Sequence, residues 1–399
     1  MTATTSIRLV KPSPIVLSPS VGLLREPTRP VDLRGANFVE EFDFTTLFFD
    51  AFFTDRPGSV LLVGPPFANL SSNLETAIFT ANPSGLRCSF RTRMMDRHSQ
   101  MWLEVPEDMQ TIELKSRFGT FELAPAANLS FLFEGKRVLL TLSKNNRLEW
   151  IQDWARYNRD IHGADAVLFY DNQSTAYRLE DLAEALAGVS GFDQICIVQW
   201  PFKYGPQGID LLRCWDSDFC QPGAWEHARW MFLQRCRSVL NSDIDELVVP
   251  VNDKTTVFDA AEKSWTGLVR FPGVWVIALP SDVCDETKQL IRHNDCRHYV
   301  SSKQQRKLDI LRPKGELNTK WAIVPRRCPH NSQWMAHTIY GWRGLYSNMS
   351  TDRRFCYRHF VDISDDWKRD RVARANAVRS SLVFDKGMIS MFSRVDWRI

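Results

Sequence analysis

The most regular hydrophobic pattern runs from Lys136 to Trp200, where continuous apolar runs alternate with helical spacing. Arg137-Val-Leu-Leu-Thr-Leu-Ser is apolar on both faces, as strands buried inside a parallel sheet are. A helical period follows through Leu148, Ile151, Trp154, Ala155 and Ile161, and Gly163 ends it. A second strand, Ala166-Val-Leu-Phe-Tyr, closes on Asp171-Asn-Gln-Ser. Another helix (Leu179, Leu182, Leu186) leads to a third strand, Ile195-Cys-Ile-Val-Gln-Trp. This β-α-β-α-β series predicts an α/β, doubly wound, Rossmann-like nucleotide-binding core. Such sheets bind ligands at the carboxyl ends of their strands. Those ends hold Ser143, Lys144 and Asn145, then Asp171 and Asn172, then Trp200 and Pro201.

Two other textures flank the core. Residues 1–37 carry Pro12, Pro14, Pro19, Pro27 and Pro30 without a sustained period and read as an extended or disordered arm. Residues 38–133 are short apolar or aromatic runs broken by Gly, Pro and Asn, such as Thr45-Thr-Leu-Phe-Phe-Asp-Ala-Phe-Phe and Ser59-Val-Leu-Leu-Val. They predict a small all-β, sandwich-like domain, either a carbohydrate-binding module or a structural lid on the α/β domain at 134–399.

After the third strand comes a helical stretch, Gln221-Pro-Gly-Ala-Trp-Glu-His-Ala-Arg, which puts His227 and Arg235 on faces next to its apolar stripe. Then follows the stretch with the sharpest chemistry, Asn241-Ser-Asp-Ile-Asp-Glu-Leu-Val-Val-Pro, entered through Ser238-Val-Leu. A carboxylate inside an apolar run costs several kcal/mol unless a positive group compensates it. Read as a strand running into a turn, it projects Asp243 and Asp245 to one side, with Ile244 in the core. Two hard oxygen ligands on one side suit Mg²⁺ or Mn²⁺ completed by substrate phosphates. The plain alternative is a solvated acidic turn.

Composition changes this picture little. The chain has 399 residues, enough for two domains, with 44% hydrophobic and 24% charged residues; its net charge of +3 points neither to nor away from nucleic acid, and none is expected among its partners. Nine cysteines, an odd number without a C-x-x-C pair, favour reduced thiols and a cytoplasmic location. The start of the chain lacks a long apolar segment, and no run approaches the roughly 18 residues of a spanning helix. A mildly basic stretch at Arg306, Lys307, Arg312 and Lys314 is a candidate for peripheral contact at the inner membrane face, and alternating charges at 365–375 read as a solvated helix.

Taken in order, these motifs resemble GT-A fold glycosyltransferases, and family 92 and its family 2-like relatives most closely, over about Arg137 to Phe360. The matching residues are Lys144-Asn-Asn-Arg-Leu-Glu-Trp after the first strand, Asp171-Asn-Gln-Ser after the second, Gln221, Ala224 and His227 before the acids, Asp243 to Glu246, and Lys320, Pro325, His337 and His359-Phe360. Two departures stand out: the acceptor loop is Ala278-Leu-Pro-Ser, and Asn146 or Arg147 stands where the family has an acid. The resemblance implies a metal-dependent transferase moving a sugar from a nucleotide-sugar donor, expected to be a UDP-sugar, to a glycan or lipid-linked acceptor in polysaccharide or glycolipid synthesis. It implies Asp243, Asp245 and His337 as metal ligands, with His359 as the rival third ligand. It implies donor contacts at Ser143, Asn145, Asp171, His227, Arg235, Lys320 and His359, where an Asx turn is the ordinary reading of Asp171 and a structural role that of His227. Inversion at the anomeric carbon needs one general base, drawn from Asp282, Asp285 and Glu286, all of which also suit a helix cap. Two other functions compete. A nucleotidyltransferase would show a glycine-rich phosphate loop, which Ser143-Lys-Asn-Asn-Arg lacks. A carbohydrate-binding protein with a decayed α/β domain would have no need of Asp243, Asp245 and His337.

Overall fold

The computed structural model describes residues 5–208, 216–252, 254–279, 290–300, 318–341, 351–363 and 382–398. Asp282, Asp285, Glu286, the basic stretch at 306–314 and the charged stretch at 365–375 lie outside them.

A seven-stranded sheet forms the centre. Its order is Ser6–Val10, Gln194–Gln199, Ala166–Asp171, Arg137–Ser143, Ser238–Asn241, Lys320–Ile323 and Leu268–Phe271. The first five strands are parallel, and Lys320–Ile323 runs antiparallel to both of its neighbours. From Arg137–Ser143 the chain steps outward twice, then returns to lay Ser238–Asn241 on the other side. That reversal makes the carboxyl ends of Arg137–Ser143 and Ser238–Asn241 the place where a crevice opens.

Alternation along the strands divides the apolar side chains between two cores. Leu139, Val167, Phe169, Ile195 and Ile197 face the helices Leu148–His162 and Leu179–Ala187, with Trp150, Trp154 and Leu182. Val138, Leu140, Leu168, Tyr170, Cys196 and Val198 face the helix Cys220–Met231, with Ala224, Trp225 and Ala228. Gly163 closes the first helix in the left-handed region, φ 71°, its N–H donating to the Arg159 carbonyl.

Residues 50–123 hold two antiparallel four-stranded sheets. One orders Asp50–Phe53, Ser59–Gly64, Ser99–Glu104 and Ser89–Met94; the other orders Gly119–Leu123, Thr111–Ser116, Ile78–Asn82 and Leu86–Arg87. Val60, Leu62, Met101 and Leu103 of the first share a core with Phe79, Ala81, Ile112 and Leu114 of the second. The opposite face of the first is also covered. Phe52, Leu61 and Val63 belong to the core under the Cys220–Met231 helix, so this sheet is packed on both sides. The helix comes close there: a Cβ on Gly223 would stand 2.3 Å from the Phe49 ring.

Within the span read as an arm, Ser6–Val10 is the outermost strand of the main sheet. Arg25 is buried, donating to the carbonyls of Pro66, Asp43 and Thr46. Burial pushes its guanidinium down to about 10, against the pull of Asp43. One guanidinium answering three carbonyls leaves no period to read in the sequence.

At two points the chain passes from the main sheet into a second one. A five-stranded sheet orders Glu246–Pro250, Phe355–Phe360, Gly273–Ile277, His298–Val300 and Leu382–Phe384. The chain leaves the main sheet for it at Ser242–Asp245, and again at Pro272, which has no N–H to continue a ladder. The acidic stretch is therefore a junction between two sheets.

Candidate functional site

At that junction Asp243 and Asp245 part company. Asp243 Oδ2 accepts from Lys320 Nζ at 2.7 Å, whereas Asp245 Oδ2 lies 3.3 Å from His359 Nε2. Expected side by side on one strand face, the two acids sit instead in a turn and take different partners. Glu246 links them, with Oε2 3.0 Å from Lys320 Nζ and Oε1 3.3 Å from His359 Nδ1. Oε2 also accepts the Asp243 N–H at 3.1 Å.

Register explains each neighbour. Asn241 pairs with Trp321 across the antiparallel ladder, which brings Lys320 beside the turn. Glu246 pairs with His359, and His359 with Trp275, so the imidazole lies between two strands with the indole 4.5 Å from it, edge to face. Burial works to lower the His359 pKa, but Asp245 and Glu246 outweigh it and hold it above the ordinary value. Lys320 is likewise buried and likewise held above its ordinary value, by Asp243 and Glu246.

The expected metal set of Asp243, Asp245 and His337 is not the one whose ligand atoms converge. Asp245, Glu246 and His359, all buried, each bring one ligand atom within 4.8 Å of the others. Asp243 is turned to Lys320. His337 stands nearby, half-buried, its pKa pushed down to about 3 by burial and by the charge of Lys320, with Glu246 and His359 also acting on it. Among the described residues, Asp243 Oδ1, His337 Nδ1 and Asn241 Oδ1 are enclosed without a hydrogen-bond partner. Two carboxylates and an imidazole form a donor set that suits Mn²⁺. Three acids face two basic groups here, and the unpartnered Asp243 oxygen and His337 nitrogen leave polar capacity unused.

The remaining expected contacts sort by position. Ser143 and Asp171 pair in register at the carboxyl ends of adjacent strands. Asp171 is buried and tied to its own loop, Oδ2 accepting from Ser174 N at 3.1 Å and Oδ1 from Tyr177 Oη at 3.4 Å. Burial holds its pKa above the usual range. Asn145, at φ 57°, binds that loop too, its Oδ1 accepting from Thr175 N at 2.6 Å and Ala176 N at 3.1 Å. Ser143 Oγ accepts from Asn146 at 2.8 Å. Lys320 and His359 join the acids.

Two other expected donor contacts have different surroundings. His227 is fully buried in the core beside Tyr170 and Trp200; its Nδ1 meets Tyr170 Oη at 2.8 Å and its Nε2 meets Asp50 Oδ2 at 3.1 Å, so both nitrogens already have partners. Arg235 lies before Ser238–Asn241, next to Glu134, which precedes Arg137–Ser143. Those are the amino ends of parallel strands, the edge opposite Asp171 and Asp243. Glu246 was overlooked as a ligand; its signal was an acid next to Leu247-Val-Val, as strong as that of Asp245. Trp275 carries no signal in sequence, because its role comes from register alone.

Fold and site thus define a doubly wound α/β protein with a buried acid, lysine and histidine cluster at its strand ends. No known family model matches the chain, and no curated protein matches it. Among solved structures it is similar to core-mannan synthase A from Aspergillus fumigatus in a manganese and GDP form, at 12% identity over 35% of this chain and 42% of that one, TM-score 0.25. It is also similar to the galactosyltransferase LgtC in complex with donor and acceptor sugar analogs, at 12% identity over 64% of this chain and 70% of that one, TM-score 0.24. An active-site mutant of LgtC aligns at 11% identity over 64% and 69%, TM-score 0.24. The mannan synthase match spans less than half of either chain.

Proposed function

We propose that this chain is a metal-dependent glycosyltransferase that takes a sugar from a nucleotide-sugar donor, a UDP-sugar foremost, and passes it with inversion to a glycan or lipid-linked acceptor. The observation that carries the reading is the convergence of Asp245, Glu246 and His359 where two sheets meet at the rim of the parallel strands. Those three residues would hold Mn²⁺ or Mg²⁺. When bound, the ion supplies positive charge to the diphosphate leaving group.

The chain's own residues do the rest. Lys320 fixes Asp243 and Glu246 and adds a permanent cation beside the phosphates. Trp275 against the His359 ring limits its contact with water. The 143–146 and 171–177 loops, knitted together through Asn145, form a rigid rim for the nucleoside. The base that takes the acceptor proton is assigned to Asp282, with Asp285 and Glu286 as the other candidates. The setting proposed is the cytoplasm, with the basic stretch at 306–314 meeting the inner membrane face. Among the described residues no helix is long and apolar enough to cross a membrane. The absence of glycine in Ser143-Lys-Asn-Asn-Arg favours sugar transfer over nucleotidyl transfer.

One observation favours a second reading: Lys320 and His359 already pair with the acids, so the cluster also works as a closed ion-pair network needing no metal. A panel of sugar nucleotides assayed with and without Mn²⁺ separates the two. Metal-dependent release of a nucleoside diphosphate from one donor is expected; no release from any donor, or release unaffected by chelation, counts against the proposal.

A further inference from the structure

A second cleft opens between the β-rich region and the 329–332 loop, lined by Arg91, Arg93, Trp102, His330 and Asn331. Arg91 pairs directly with Trp102 across the Ser89–Met94 and Ser99–Glu104 strands, its guanidinium 5.4 Å from the indole centroid. Arg93, two residues on, faces the same side, and it donates to the His330 carbonyl. Among the described residues neither arginine has a carboxylate partner. Such pairs are ordinary on a sheet surface, and what marks this one is the scaffold beneath it.

Arg229, fully buried, donates to the carbonyls of Ser332 at 2.6 Å and Pro329 at 2.7 Å and so fixes the loop that carries His330 and Asn331. Trp230 stands edge-on to Trp102 at 4.8 Å and tilted against His330 at 5.0 Å. Trp102 Nε1 donates to Gln100 at 2.9 Å, and Gln100 donates in turn to Glu226 at 2.5 Å, which also accepts from Trp230. Both walls are thus held before any ligand arrives, which removes ordering cost from binding. His330, lowered by burial and by Arg229, Arg93 and Arg91, offers a neutral imidazole, with Asp55 only weakly opposing.

We propose that this cleft binds an acidic sugar unit of a glycan chain, with Arg91 and Arg93 holding its anionic group and His330 and Asn331 its hydroxyls. Among the described residues neither guanidinium touches a carboxylate, buried Glu226 acting on Arg93 only through its charge, and their forked donors match a carboxylate, sulfate or phosphate. A nucleobase is disfavoured because Arg91 covers one face of Trp102 and Trp230 crowds it from the other side, leaving no open aromatic plane to stack on. The site is separate from the metal cluster, and the choice of a glycan as the occupant rests on the function proposed above.

The full chain is titrated by calorimetry with a uronic-acid oligosaccharide, its neutral counterpart, inorganic phosphate and a single-stranded RNA of similar charge. Binding of the acidic glycan at least tenfold tighter than the neutral one is expected, weakening as salt is raised. Arg91→Gln and Arg93→Gln should each weaken it about tenfold. Arg91, exposed and without a hydrogen bond among the described residues, tests the site even if the second variant folds poorly. Equal affinity for the neutral glycan, phosphate binding as tight as the glycan, tighter RNA binding, or unchanged affinity in Arg91→Gln would each overturn the proposal.

Discussion

Of the buried histidine–carboxylate pairs among the described residues, those at His227 and at His359 differ in whether they are finished. His227 sits among Phe52, Trp200 and Phe232, with both nitrogens bonded, to Asp50 from the β-rich region and Tyr170 from the main sheet. It is a rivet between two parts of the fold. The cluster at the strand ends has more ion pairs, yet the enclosed oxygens of Asp243 and Asn241 and the enclosed nitrogen of His337 bond to nothing among the described residues. Burial and charge alone thus do not distinguish a site from a joint. Unused hydrogen-bonding capacity separates these two, although it also occurs at His98, Glu226 and His293, and each unpaired buried polar atom costs about 1–3 kcal/mol.

That contrast can be broken by mutation. His227→Ala, which empties a packed core and strands Asp50 and Tyr170, should cost about 3–5 kcal/mol of stability in denaturant titration while leaving Mn²⁺ binding intact. Asp245→Asn should do the reverse, reducing donor turnover by about 10²–10³-fold with little change in thermal midpoint. Loss of metal binding in the first, or a collapse of stability in the second, erases the distinction between rivet and site.

A third buried histidine sharpens it. His162 is enclosed by the helix it ends, facing the Val248 carbonyl at 2.7 Å, and burial pushes its pKa down to about 4. The unfolded chain, with an ordinary histidine near ~6.5, takes up the proton first as pH falls. Stability is therefore full above about pH 6.5, is lost between there and about 4, and levels off below, a change of about 3 kcal/mol from this group. His162→Gln should flatten that slope in a pH series of unfolding curves; an unchanged slope assigns it elsewhere. The smallest effect is expected at Gly223→Ala, where the new methyl meets the Phe49 ring and should cost about 1–3 kcal/mol, read as a lower thermal midpoint.

Much of the architecture was legible before any coordinates. Buried parallel strands and amphipathic helices announce themselves locally, so the Arg137 to Trp200 series needed only periodicity. The acids were also legible, because an acid inside an apolar run is an anomaly at any position. Partner choice was not. His359 meets Glu246 through a strand pairing 113 residues distant in sequence, and nothing near His337 or His359 says which imidazole the ladder will deliver. Lys320 was expected to meet phosphate, and it lies against two acids for the same reason. His227 and Arg235 were drawn to the site by proximity in sequence to the acids, whereas the fold puts one in the core and the other at the opposite edge.

The most direct test is a count of bound Mn²⁺ by electron paramagnetic resonance, with UDP present, for the native chain and Glu246→Gln. About one ion per native chain, lost in the variant, is the predicted result. No bound ion in the native chain, or the same ion in both, would mean that Lys320 and His359 complete the cluster by themselves and that it is a second rivet.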